Sequence, residues 1–388
     1  MPVLSERVRR LIRFLHIRIP YEDESNYPES YNLTLGNMAD LLEALPCLDD
    51  LHLHGIQLNT AYGAPGCSDF RRPLKSLHFQ DVRSSSVAYP PLKEIATFMT
   101  LFPTIDSLTL YFSHIRDSRG PNIADDISLI CQDLHGPSST CIQDVYIHGE
   151  STLLHLLYPM SFADNLRSLE IHHHYDIVKA FEEMLKDRPS RLNTLKIQFS
   201  LEPEFSSYGF EPFITGADAD LVEANYHWTI DAPSVPCLKS LELVYMHMWW
   251  NYKGTLVVWN RMVRLLQHFS SIPLESLGIQ LFCMTAGADS QIKALETLRR
   301  LPWDDLNLAL QRYTTLNKPI TVTIQAYLSR PEALRIMEIV VERLSSLELR
   351  SRQAGKPRRA RLAWVHFDGS SEETHEWEDM KADAGGQV

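Results

Sequence analysis

The sequence predicts an α/β solenoid, and three observations carry that prediction. A six-residue pattern of apolar, polar, polar, apolar, polar, apolar returns along most of the chain. Proline-bounded helical stripes lie between its copies. The composition of the 388 residues, 44% hydrophobic and 22% charged, suits a chain that buries a sizeable core.

The pattern reads LDDLHL (48–53), LKSLHF (74–79), IDSLTL (105–110), IQDVYI (142–147), LRSLEI (166–171), LNTLKI (192–197), LKSLEL (238–243) and LESLGI (274–279). Weaker copies are IRFLHI (12–17) and WDDLNL (303–308). Its middle apolar residue stands at 15, 51, 77, 108, 145, 169, 195, 241, 277 and 306, so neighbouring copies are 24 to 46 residues apart. Ten copies at loose spacing identify a repeat architecture. Within each copy the last two apolar side chains leave a strand on the same face, because side chains alternate across it.

The helices follow in order. Met38, Leu41, Leu42 and Leu45 form an i, i+3, i+4, i+7 stripe that Pro46 closes. Pro91 opens a helix carrying Leu92, Ile95, Met99 and Phe102, stopped by Pro103. Asp176 is an N-cap before Ile177, Phe181, Met184 and Leu185, with Pro189 beyond. Trp259, Met262, Val263 and Leu266 repeat the stripe, as do Leu334, Met337, Val341 and Leu344 after Pro331. One helix-plus-strand unit cannot bury its own apolar face, whereas stacked units share a continuous core. The expected fold is therefore a single leucine-rich-repeat-like solenoid (a horseshoe) over 1–368, with about ten irregular repeats, parallel strands on the concave face and helices on the convex face. Cys47 and Cys237 share one phase of the repeat and are expected as small buried hydrophobes.

Several segments depart from the repeat. Residues 201–236 form an acidic insert whose aromatics (Phe205, Tyr208, Phe210, Phe213, Tyr226, Trp228) should pack. Just after it, Trp249, Trp250 and Tyr252 either anchor a partner or pack under that insert. ITVTIQAYL (320–328) and LAWVHFD (362–368) alternate like strands and define a C-terminal cap over 320–368. The basic residues Arg350, Arg352, Lys356, Arg358, Arg359 and Arg361 make a solvated linker or an import signal. The acidic tail 369–388 is expected to be disordered.

The polar residue between the paired apolar ones faces outward, giving one column of His16, His52, His78, Thr109, Tyr146, Glu170, Lys196, Glu242, Gly278 and Asn307. Two residues further on, a second column holds Arg18, His54, Gln80, Tyr111, His148, His172, Gln198, Val244, Gln280 and Ala309. Strands ~4.8 Å apart would bring these side chains side by side. Solenoids bind on such surfaces, so the candidate partner-binding residues are His16, His52, His54, His78, Tyr111, Tyr146, His148, Glu170, His172, Lys196 and Glu242. A metal held by His52, His54 and His78, or by the EIHHHYD run (170–176), is disfavoured because Thr109 and Lys196 interrupt the columns. Neither a metal nor a cofactor is expected. Free imidazoles titrate near ~6.5, so partner affinity should depend on pH.

A net charge of −12, from 37 basic and 49 acidic residues, opposes nucleic-acid binding. The six cysteines have no C-x-x-C spacing, which indicates a reducing compartment, cytoplasmic or nuclear. No signal peptide and no apolar run of ~18 residues occurs, so no membrane role is expected. The G-x-S-x-G, G-x-G-x-x-G, G-x-x-x-x-G-K-[ST] and H-E-x-x-H motifs are missing, and the reading is a non-catalytic, monomeric binding protein.

The units LDDLHLHG, LRSLEIHHHYD and LKSLELVYMHM, with the proline-flanked joints EALPCLDDL and TLFPTIDSL, resemble the leucine-rich-repeat regions of fungal, especially basidiomycete, F-box-type proteins. The resemblance spans residues 8–368. It implies a substrate-recognition region of a cullin–RING ubiquitin ligase, in which an F-box docks a Skp-type adaptor and the repeats receive the substrate. The segment MPVLSERVRRLIRFLHI is shorter than an F-box, so a Skp-type adaptor is expected only with an F-box upstream. The alternatives are a leucine-rich-repeat scaffold or adaptor without a ubiquitin link, and a metal-binding or enzymatic solenoid.

Overall fold

A computed structural model describes residues 5–18, 32–59, 72–84, 92–112, 140–148, 165–173, 191–199, 235–248, 252–284, 295–313, 316, 318–326, 329–344, 360–367, 372–377 and 380. The expected helix after Asp176, residues 201–234 of the insert, Trp249, Trp250 and the basic residues 350–359 lie outside the described residues. The fold is α/β with mostly parallel sheet, and it divides into two compact units: Met1–Ile171 with Asp176–Leu192, and His172–Tyr175 with Asn193–Val388.

In the first unit the repeat strands are β1 (Phe14–Arg18), β3 (Asp50–His54), β5 (Leu74–Gln80), β7 (Thr104–Tyr111), β8 (Cys141–His148) and β9 (Ser168–His173). They pair in that order, all parallel. The register aligns Leu15, Leu51, Leu77, Leu108, Val145 and Leu169 without a slip. This is the alignment the sequence pattern demands, because a one-residue shift would turn every leucine to solvent. The short helix α1 (Glu6–Arg9) precedes β1, and α2 (Leu35–Ala44) and α3 (Leu92–Met99) lie between strands. Thr34 caps α2 by accepting the Asn37 amide at 3.1 Å, and Met38 and Leu42 face the core.

The unit has a second part that the helix-turn-strand reading does not contain. After β3 and β5 the chain turns at Gly55 (φ 67°) and Asp81 (φ 48°), buries Ile56 and Val82, and enters a second parallel sheet. Its strands are β2 (Asn32–Thr34), β4 (Gln57–Asn59) and β6 (Arg83–Ser84), in that order. Glycine adopts the left-handed corner freely, and aspartate is among the few other residues that tolerate it. The corners themselves are stacked, since Gly55 N–H donates to the Gln80 carbonyl and Asp81 N–H to the Tyr111 carbonyl, each at 2.9 Å.

The second unit places β10 (Thr194–Phe199), β11 (Ser240–Met248), β12 (Ser276–Met284), β13 (Ile320–Ala326) and β14 (Ala360–Phe367) in parallel, with β15 (Glu372–Glu376) antiparallel at the end. Its helices are α4 (Tyr252–Phe269), α5 (Trp303–Gln311) and α6 (Arg330–Arg343). The expected stripe of α4 holds, because Trp259, Met262, Val263 and Leu266 are all buried. Trp259 packs edge-on against Tyr245 at 5.2 Å and Trp303 at 4.8 Å. Each polar end is satisfied: Trp303 Nε1 donates to the Leu298 carbonyl at 2.6 Å and Tyr245 OH to the Thr255 carbonyl at 3.2 Å.

Three expectations are corrected here. WDDLNL is not a strand: it opens α5, with Pro302 before it and Asp304 and Asp305 in its first turn, where acids suit the helix dipole. Trp303, Leu306, Ala309 and Leu310 line its buried face, so Asn307 and Ala309 leave the outward columns, and Thr321 of β13 takes the place beside Gly278. The tail is not wholly without structure, because β15 pairs with β14 and Trp377 and Met380 are buried. Cys237 is exposed and Cys47 half-buried, since both sit in the turn that precedes the strand rather than on its apolar face.

Candidate functional site

The outward face of the first unit is built from three adjacent columns. The strand registers bring together Phe14, Asp50, Ser76, Ser107, Asp144 and Ser168; then His16, His52, His78, Thr109, Tyr146 and Glu170; then Arg18, His54, Gln80, Tyr111 and His148. The rings gather into two clusters. In the first, His52 stacks on His78 with centroids 3.9 Å apart, His16 lies 5.8 Å from His52, and Phe14 meets His52 edge-on at 4.8 Å. In the second, Tyr111 lies flat on His148 at 4.3 Å with 3° between the planes, and Tyr146 is 6.5 Å from His148. Thr109 and Gln80 stand between the clusters in the registers.

His16 is exposed, and His52, His78, Tyr111, Tyr146, His148 and Glu170 are half-buried, so these expected residues are within reach of solvent. His54 is not: it is 8% exposed, tucked beside the Gly55 corner. Its removal from the open face corrects the sequence reading. Phe14 is the residue that reading missed. A phenylalanine stands where the other first-unit strands carry Asp or Ser, two residues before the first column, and strand periodicity turns that position outward.

Burial sets the electrostatics of the face. Desolvation, reinforced by neighbouring His52, pushes His78 down to about 4. His52 is lowered by burial and by His16, His54 by burial and Arg18, and His148 by burial. Tyr146 is pushed up to about 12 by burial and the nearby Glu170 carboxylate, and Tyr111 is raised by burial and Asp81. These shifts move the expected titration: the stacked rings take up protons below the ordinary imidazole range. At neutral pH His52, His78 and His148 are uncharged imidazoles and Tyr111 and Tyr146 uncharged phenols, able to stack and to exchange hydrogen bonds. Among the described residues no group of three or more His, Cys, Asp or Glu side chains is placed to hold a metal ion. Face-to-face imidazoles direct their nitrogens outward in parallel planes rather than toward a common point.

The second unit supplies Lys196 and Glu242, register neighbours on β10 and β11, followed by Gly278 on β12. A side chain at Gly278 would place its Cβ 3.4 Å from Glu242 Cγ. Val244, expected in the second column, is 5% exposed. His172 lies on β9 and Tyr252 opens α4; their side chains, with Trp249 and Trp250, are outside the described residues. Among the described residues no helix is long and apolar enough to cross a membrane. No protein-family model matches the chain, and no curated protein matches it significantly.

Proposed function

We propose that the chain is a non-catalytic, leucine-rich-repeat-like solenoid that holds a protein partner on its imidazole-rich sheet face. The observation that carries this reading is the pair of ring clusters, Phe14–His16–His52–His78 and Tyr111–Tyr146–His148, half open on the strands, with burial holding His52, His78 and His148 below the ordinary imidazole range. Aromatic and imidazole rings with short, preordered side chains bind at small entropic cost, and charge depletion is the mark of an interface centre. The resemblance to F-box-type repeat regions extends the proposal to a substrate receptor of a cullin–RING ubiquitin ligase in the cytoplasm or nucleus. A scaffold without a ubiquitin link is the second reading.

Affinity capture from extracts of the source organism, comparing the wild-type chain with a His16→Glu/His52→Glu/His78→Glu variant, tests the face. Proteins retained by the wild type and lost from a variant that still unfolds cooperatively support it. An identical catch with both chains overturns it. Titration of a purified Skp-type adaptor onto the chain separates receptor from scaffold.

A further inference from the structure

Among the described residues, the first unit is unsealed at β1. On its interior strands the paired apolar residues are closed off: Leu51, Leu53, Leu77, Phe79, Leu108 and Leu110 are at most 1% exposed. Their counterparts Leu15 and Ile17 are only half-buried, and Val8, Leu11 and Phe14 are 43%, 72% and 53% exposed. These three account for all but one (Leu308) of the large apolar side chains exposed among the described residues. β1 is also the first strand of its sheet, paired with β3 on one side only among the described residues, so the main-chain groups on its other side have no ladder. The helix before it, α1, buries none of its residues and cannot act as a lid.

This edge carries a charge unlike that of the whole chain. Residues 6–18 hold Arg7, Arg9, Arg10, Arg13 and Arg18 against Glu6 alone, in a protein of net charge −12. Glu6 is taken by Arg10, and Asp49 is shared between Arg13 and Lys75. The Nε of Arg9 is buried without an acceptor. A second copy joined edge to edge would set arginines against arginines. A lipid surface could meet the arginines but could not complete a main-chain ladder, and α1 is too short for an interfacial helix.

We infer that the β1 edge accepts an acidic strand from a protein partner, one in which glutamate or aspartate alternates with apolar residues. Added beside β1, its apolar side chains would continue the stripe of Leu15 and Ile17, and its carboxylates would lie on the opposite face, which carries Arg18. Main-chain hydrogen bonds supply affinity, and the alternation supplies selectivity. This edge adjoins the first ring cluster, with which it shares Phe14 and His16, but its strand pairing does not depend on that cluster's role.

The test uses the full chain and a fluorescein-labelled, acetylated peptide of alternating glutamate and valine, read by anisotropy. Saturable binding is expected. It should weaken about tenfold in an Arg18→Glu variant, as expected for reversing a close charge partner. Replacing the central valine of the peptide by proline, which cannot donate to a ladder, should remove binding. Binding should be unchanged in a Tyr146→Ala/His148→Ala variant of the second ring cluster, which lies four strands from β1 and so separates this edge from that part of the face proposed above. Equal binding of the proline peptide or of its lysine counterpart overturns the inference. So does a wild-type chain that dimerises through β1 by light scattering, or one that binds phosphatidylserine vesicles but not the peptide.

Discussion

The two terminal strands of the molecule, β1 in the first unit and β15 in the second, meet the same physical problem differently. A stack of repeats always has a last strand whose apolar face lacks a neighbour. Beyond β14 the chain folds back as β15, stacks His375 on Trp364 at 5.3 Å, and buries Trp377 and Met380. The strand left at that edge, EETHE, carries three glutamates, which discourage further pairing. At β1 no described residue gives such cover, and Leu11 and Phe14 are exposed among the described residues. The difference shows that closure comes from apolar cover supplied in cis, because both edges have strands of ordinary length. Only one of them has a tryptophan to set over the core.

The largest way to break this comparison is to open the closed end. Trp377→Ala should cost about 3–5 kcal/mol of the second unit's stability, the usual loss for a buried aromatic truncated to alanine. Urea unfolding followed by tryptophan fluorescence reads it, and an unchanged midpoint would mean that the cover carries no energy. Next in size is a matched pair at the other end. Leu51→Ala removes a side chain with 0% exposure and should cost about 2–5 kcal/mol. Leu15→Ala, its register partner on β1, should cost less than about 1 kcal/mol, because that site already meets solvent. Equal losses would show β1 to be as sealed as β3.

The repeat was legible in the sequence because strand alternation and parallel stacking impose one register on every copy. Leu15 through Leu169 in the first unit and Leu195 through Leu277 in the second align as the pattern requires. WDDLNL misled because its apolar residues satisfy two periods at once: spacing alone fits the strand motif, whereas Pro302 and the paired aspartates at the first turn mark a helix start. The second sheet was not legible, since β4 and β6 have three and two residues, too few to show alternation. In the candidate site the ring columns were readable. The burial of His54 and the depressed titration of His78 were not, because both arise from neighbours across strands rather than from residue type.

That titration provides a smaller effect. His78 folds with its pKa near 4 and unfolds with an ordinary value of about 6.5. Between those values the unfolded chain binds the proton and the folded chain does not, so stability is full above pH 6.5 and falls as pH drops toward 4. His52, His54 and His148 are shifted the same way and add to the slope. Thermal unfolding at stepped pH should show the first unit losing stability across this window, with a shallower slope in His78→Gln. A flat profile would mean that the rings are fully hydrated. β1 contributes His16 to this stack, so a strand added at that edge should deepen the effect by drying His52 further.

The smallest effect belongs to the charged rim where the strands begin. Asp49 accepts Arg13 at 3.3 Å and Lys75 at 3.2 Å, tying the entrances of β1, β3 and β5 together, as Lys239 and Glu275 do at 2.9 Å for β11 and β12. Lys75 first, then Arg13, holds the Asp49 carboxyl below its ordinary range, so its contribution is present at neutral pH and fades as pH falls through the lowered value. All of these groups are reached by water, and exposed ion pairs are weak and screened by salt. Asp49→Asn should therefore lower the unfolding midpoint slightly, less than the histidine effect, and the difference should vanish in about 1 M salt. Persistence at high salt would mean that the carboxylate acts instead by holding the turn before β3. That turn is already fixed by the Asp49 and Asp50 amides, which both donate to the Arg13 carbonyl, at 2.8 and 2.9 Å. The backbone ladder sets the rim, and the charges only select which residues may stand next to one another along it.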